Sequence, residues 1–132
     1  MAIFVDASAL AAIIRDEPEA EDLSDRLESD PDRITSELAL WECAAVVARL
    51  SKTHLAAGME DTRRFATGFG IRTIAIGKAE AIEAARAHRH HGKGTGARAQ
   101  LNMGDCFAYA CARTNNAQLL YKGDDFRHTD LA

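Results

Sequence analysis

The period of apolar positions changes several times along the chain, and each change marks an element. Ala2-Ile3-Phe4-Val5 is a short unbroken apolar run, the pattern of a strand buried on both faces, as in a parallel sheet. Asp6 and Ser8 follow, both helix-capping types, and Ala9–Arg15 reads as a helix. Pro18 can open a second helix. Glu19, Glu21 and Asp22 suit the positive end of its dipole, and Leu23 and Leu27 share one face. Ser29-Asp30-Pro31-Asp32 is a turn, and Arg33-Ile34-Thr35 a short strand. Ser36 then caps a long helix over 37–53, with an apolar stripe of Leu38, Trp41, Ala45, Val46 and Ala48.

A further helix is expected over 55–68, ended by Gly68 and Gly70. Ile71–Ile76 alternates apolar and polar residues, a strand signature. Lys78–His91 is an alanine-rich helix. Residues 92–104 form the one irregular segment, with glycines at 92, 94, 96 and 104. Asp105–Asn115 returns to helix, Gln118–Tyr121 is the last strand, and Gly123-Asp124-Asp125 a turn. Strands alternating with helices predict an α/β fold with a mainly parallel sheet.

Length and composition narrow the class. The chain has 132 residues, enough for one domain spanning 1–132. Hydrophobic residues make up 47% of it, which argues against general disorder. It contains no apolar run near the 18 residues of a membrane span, and MAIFVDASAL does not read as a secretory signal. A cytoplasmic location is expected. Cys43, Cys106 and Cys111 are odd in number and lack C-x-x-C spacing, so reduced, buried thiols are expected rather than a disulfide framework or a zinc site.

The net charge of −4 at first opposes a nucleic-acid partner, but the charge is unevenly placed. Residues 1–32 hold ten acids and two bases. Residues 78–113 hold six bases (Lys78, Arg86, Arg89, Lys93, Arg98, Arg113), three acids, and His88, His90 and His91. That later stretch is either a solvated face or a track for a phosphate backbone.

Most acids fall on plausible solvent faces; a few do not. Asp6 ends a buried strand, the edge where open α/β sheets bind ligands, although an N-cap role would also explain it. Glu42 lies with Leu38, Ala45 and Val46 on one helix face. A carboxylate among apolar neighbours needs a cation partner or an opening onto a cleft. Asp105 stands at the start of an apolar helix, near the sheet edge, and capping is again the alternative. Asp124 and Asp125 follow the last strand, in a turn that itself favours aspartate. Acids converging at one end of a sheet repel without a counter-charge, and a hard divalent cation such as Mg²⁺ or Mn²⁺ supplies it. The residues alone thus reach a candidate acidic metal site. Gly92-Lys93-Gly94-Thr95-Gly96 lacks the spacing of a phosphate loop, and no G-x-S-x-G context supports a serine nucleophile. Trp41 reads as a core residue or part of a subunit interface.

These residues resemble the PIN-domain nucleases. Ile3-Phe4-Val5-Asp6-Ala7-Ser8-Ala9-Leu10 looks like their first strand and acid, and Leu40-Trp41-Glu42-Cys43-Ala44 like their helical glutamate. Leu101-Asn102-Met103-Gly104-Asp105-Cys106-Phe107-Ala108-Tyr109-Ala110 resembles the L-N-x-G-D-C-F-A-Y-A signature of the VapC toxins of VapBC systems. Leu119–Phe126 resembles their closing strand and turn. The resemblance implies a three-layer α/β/α PIN-like fold and an endoribonuclease dependent on Mg²⁺ or Mn²⁺. It also implies a VapB-type antitoxin filling the active-site groove. The assembly implied is a homodimer, and a heterotetramer or larger with antitoxin.

Asp6, Glu42 and Asp105 take the places of the family's acids. A gap-free match puts the first aspartate of the family's T-x-D-x-D-F at Gly123, so Asp125 matches its second aspartate and Asp124 is a substitute for the missing one. Asp6, Glu42, Asp105 and Asp125 are the implied metal ligands, with three acids plus water as the alternative where neither turn aspartate reaches the metal, and Ser8 and Asn102 match polar positions near the site. The implied chemistry is hydrolysis of an RNA phosphodiester by metal-activated water, leaving a 3′-hydroxyl and a 5′-phosphate, with residues 86–98 guiding the backbone. Two other classes stay open. Haloacid-dehalogenase-type phosphotransfer enzymes need D-x-D where this chain has Asp6-Ala7-Ser8. A non-catalytic PIN-like module binding RNA or protein would keep the fold and lose the chemistry.

Overall fold

The computed structural model describes residues 1–132. Four strands, β1 (Ala2–Val5), β2 (Asp32–Ser36), β3 (Ile71–Ile74) and β4 (Ala117–Leu120), form one sheet in the order β3-β2-β1-β4. Every pairing is parallel. Ala2 stands opposite Asp32 on one side and Ala117 on the other, and Arg33 opposite Ile71. Six helices cover the sheet: α1 (Ala7–Ile14), α2 (Ala20–Glu28), α3 (Glu37–Leu50), α4 (Leu55–Gly68), α5 (Lys78–His91) and α6 (Met103–Thr114).

The unbroken apolar run of β1 is explained by its neighbours. Ile3 and Val5 pack with Leu10, Leu23, Leu40 and Ala66, which come from α1, α2, α3 and α4. Ala2 and Phe4 face the other way, among Ala84, Ala87 and Tyr109 of α5 and α6. Two cores on opposite faces of one sheet make the three-layer α/β/α arrangement. No helix is long and apolar enough to cross a membrane. All three cysteines are buried and free.

Up to β3 the chain adds strands to one side of β1. It then crosses, through α5 and α6, to the other side of β1 as β4. The strand order therefore reverses at β1, and ligands of open α/β sheets bind beyond the carboxyl ends of the strands at such a point. The Asp6 amide donates to the Leu120 carbonyl at 2.9 Å, so the segments leaving β1 and β4 are tied at that edge.

Several elements depart from the sequence expectation. The buried face of α3 is Ala39, Leu40, Cys43, Ala44, Val47 and Ala48, one step round from the expected stripe, and Trp41 is not in the core. Close packing on α4 sets that rotation: a Cβ on Gly58 would stand 2.7 Å from the Ala44 carbonyl oxygen. The strand expected over 71–76 stops at Ile74, because its one neighbour, β2, ends opposite it at Ser36, where α3 begins. Helix α6 begins at Met103, so Gly104 is helical rather than part of the irregular segment.

Candidate active site

Each candidate acid has a local reason for its position. Asp6 leaves β1 as the N-cap of α1 and is 5% exposed. Its carboxylate accepts from the Ser8 amide at 3.0 Å and the Ser8 hydroxyl at 2.5 Å. The Ser8 oxygen in turn accepts from the Lys122 amide at 3.0 Å, which fastens the segment after β4 to the same point. Capping and a site role thus coexist at Asp6. Ser36 caps α3 by accepting from the Ala39 amide at 3.1 Å, and this sets the helix phase that brings Glu42 to the same edge. Asp105 is the third residue of α6, not its cap. Asn102 is the cap, accepting from the Asp105 amide at 2.8 Å while Asp105 accepts from the Asn102 amide at 3.1 Å, a reciprocal capping box.

Asp6, Glu42, Asp105 and Asp125 line one cleft of about 510 Å³, with Ser8, Arg15, Glu17, Trp41 and Lys122. Asp125 and Asp105 also border an adjoining polar cleft of about 420 Å³ that holds Lys93, Arg98, Gln100, Asn102, Asp124 and His128. Asp124 does not reach the first cleft; its side chain is 83% exposed and lies 3.6 Å from Arg127. Gly123 has φ +96°, a conformation that L side chains rarely adopt. An aspartate in that conformation would be strained.

The electrostatics show acids crowded without a counter-charge. Glu42 is pushed up to about 7, first by burial and then by the Asp6 and Asp105 carboxylates. Burial raises Asp105 to about 6 against the pull of the Asn102 amide, and Asp125 and Asp6 add to the rise. Asp6 is raised by burial, which outweighs its hydrogen bonds from Ser8 and Ala7; Asp125 contributes further. The cations of this cleft are already engaged: Arg15 and Lys122 both pair with Glu17, and Lys122 lies 3.4 Å from Glu19. Sequence reasoning missed Glu17 and Lys122, whose ion pair links residues 105 positions apart. Cys43, pushed up to about 12 by burial, offers no thiolate.

The basic stretch divides. Arg86 pairs with Glu83 at 3.0 Å and Arg113 with Asp130 at 3.1 Å. His91 lies 3.9 Å from Asp130 and packs against the Tyr109 ring. Lys93 and Arg98 do reach the site, through the polar cleft.

The PIN domain family matches residues 3–131. Ribonuclease VapC42 of Mycobacterium tuberculosis is 35% identical over 129 residues, covering 98% of this chain and 96% of its own length. Ribonuclease VapC of Mycolicibacterium smegmatis is 38% identical over 129 residues, covering 97% of this chain and 96% of its own. Among solved structures, Mycobacterium tuberculosis VapC20, described as a sarcin–ricin loop cleaving toxin, superposes with a TM-score of 0.70 at 19% identity, covering 95% of this chain and 92% of that one. The chain belongs to the PIN-domain family, within its VapC ribonuclease branch.

Proposed function

We propose that this chain is the toxin of a toxin–antitoxin pair and cleaves RNA internally by hydrolysing phosphodiester bonds, with residues 1–132 acting as one PIN domain. The observation that carries the reading is the meeting of Asp6, Glu42, Asp105 and Asp125 at the strand-order reversal, with raised carboxylate pKa values. No three His, Cys, Asp or Glu side chains are gathered as a ready-made metal cage. The donor set still fits a hard divalent cation: it is all oxygen, it lacks a free counter-charge, and Mg²⁺ retains several waters rather than filling a protein cage. Asp6, Glu42, Asp105 and Asp125 would hold Mg²⁺ or Mn²⁺, directly or through water; Asp124, placed in the adjoining cleft, would serve the substrate side. When bound, the cation supplies an activated water and stabilises charge on the phosphodiester.

The chain's own residues supply the rest. Ser8 holds the Asp6 carboxylate in one orientation. That use of Ser8, at the place of the second acid of D-x-D, removes support for a phosphotransfer enzyme. Asn102 fixes Asp105 through the helix cap. Lys93, Arg98 and His128 receive the phosphates that flank the cut. The partners proposed are RNA and a VapB-type antitoxin that covers this cleft. The proposed assembly is a homodimer, enlarged to a heterotetramer or beyond with antitoxin; exposed Ile82 and Met103 on α5 and α6 support an apolar contact.

Labelled total RNA incubated with the purified protein tests the reading. Cleavage is expected with Mg²⁺ or Mn²⁺ and none in EDTA. Metal-independent cleavage, or metal binding with no cleavage of any RNA, would overturn it, the latter in favour of a non-catalytic module. Because the cation needs ionised acids, cleavage and metal affinity should climb between about pH 5.5 and 7.5, through the values of Asp105 and Glu42. Stability without metal moves oppositely. Both groups have folded pKa values above their ordinary values of 3.8 and 4.5, so the folded state binds more protons in that window and loses stability as pH rises. The gain in Tm on adding Mg²⁺ should therefore be larger at pH 7.5 than at pH 5.5, read by calorimetry.

Removing Lys93 and Arg98 should weaken RNA binding similarly for all sequences. Each loss should flatten the slope of log affinity against log salt by about 0.7, the value for one single-strand phosphate contact. A double alanine variant with an unchanged slope would place the RNA elsewhere.

A further inference from the structure

Trp41 is the only tryptophan of the chain. It is 50% exposed on α3, a helix that buries much of its opposite face. An indole left half in water forgoes the free energy that burying it would return. It adjoins Glu42 and lines the acidic cleft. The nearby wall consists of small apolar side chains: Ala7, Ala11, Ala45 and Val46. The cleft thus has a side of small apolar residues beside an aromatic rim, and an acidic end.

We propose that Trp41 is a base-stacking platform, on which the ring of an unpaired nucleotide beside the scissile phosphate lies. The proposal rests on the ribonuclease reading and adds the residue that holds the base. An RNA strand offers phosphates and bases in alternation. The polar cleft, with Lys93 and Arg98, suits phosphates. The Trp41 side does not, because Arg15 and Lys122 there are both committed to Glu17. What that side can receive is an apolar ring with a π face, and base–aromatic stacking tolerates any base. A base inside a duplex has both faces covered by its neighbours, so the contact selects nucleotides that are unpaired where the cut falls.

The single indole makes its own emission the readout. Asp105→Asn, which does not cleave on the reading above, is titrated in Mg²⁺ with a short single-stranded RNA and with the same sequence as a duplex. Emission should fall in step with binding of the single strand, and far less with the duplex. In the otherwise intact protein, Trp41→Ala should weaken single-strand binding about ten-fold and reduce the preference for cutting single strands. Trp41→Phe should restore most of both, which a merely structural loss would not permit. Single-stranded RNA bound with unchanged emission, and cut normally by Trp41→Ala, would overturn the proposal. So would a Trp41→Ala variant that cleaves normally but loses self-association or capture of an antitoxin peptide, since the indole would then serve a protein contact. Failure of the unsubstituted protein to cut any RNA would instead bring down the ribonuclease reading itself.

Discussion

Gly104→Ala should slow RNA cleavage on the order of 100-fold without substituting any acid of the site. Gly104 is in the first turn of α6, and the Glu42 carboxylate lies against it. A Cβ there would overlap one carboxylate oxygen outright and stand 2.7 and 2.8 Å from Cδ and the other oxygen. Those atoms are the end of a flexible side chain, so Glu42 would swing away and the helices would stay where they are. The fold should tolerate the change, since alanine favours helix over glycine by up to about 1 kcal/mol. The site should not tolerate it, because a displacement of about 1 Å in a catalytic arrangement costs on the order of 100-fold in rate. Single-turnover cleavage beside a melting curve checks both halves. Full activity in Gly104→Ala would show that the position Glu42 occupies is not the one the reaction uses.

Asp6→Asn should separate the two roles of the most buried acid. Asparagine keeps an oxygen to accept from the Ser8 amide, so the cap of α1 survives, and it removes a desolvated negative charge. Cleavage should fall by about two to three orders of magnitude, the range seen when one charge-stabilising group is lost. Without metal at pH 7.5, Tm should rise. Relief of about 1 kcal/mol would lift a domain of this size by roughly 3–6 °C. The direction follows from Asp6 itself: its folded pKa is raised, so ionising it in the folded state is a cost that grows as pH climbs through that value. Asp6→Ala should melt lower than Asp6→Asn, since an N-cap is worth about 1 kcal/mol. An asparagine variant that melts well below the unsubstituted protein would make Asp6 a structural residue first.

The sequence disclosed the elements whose signals are local. β1 was legible from its unbroken apolar run, α3 from the Ser36 cap, and α5 from its alanine-rich pattern bounded by Gly77 and Gly92. Glu42 was found because a carboxylate stood among apolar neighbours. Periodicity places those neighbours in the core, whereas Leu38, Ala45 and Val46 are only partly buried and Trp41 is exposed. Which face of α3 goes inward depends on α4 and on Gly58, a contact that periodicity does not encode. Glycine is a poor helix former, so Gly104 suggests a loop; its presence in α6 reflects the space Glu42 takes. The capping box hid in Asn102-Met103-Gly104-Asp105, where the acid three residues after the cap was read as the helix start. Which of Asp124 and Asp125 borders the cleft with Asp6 and Glu42 depends on the backbone of the turn at Gly123, which the sequence does not encode. Lys122 gave no local signal, since its partner Glu17 lies on the far side of the sequence.

The topology has a consequence for how such a protein is made. β4, formed by residues 117–120, completes the sheet against β1, formed by residues 2–5, and Asp125 follows later still. The acids at 6, 42, 105 and 125 belong to four separate stretches that meet only in the closed sheet. A ribosome translating this chain carries an unfinished sheet until those closing residues have emerged. The machine that makes the enzyme is itself built of RNA and lies within reach of the growing chain. On the proposed function, a nascent polypeptide whose closing strand has not yet emerged would lack the wall that Asp125 forms and would not cut the RNA beside it.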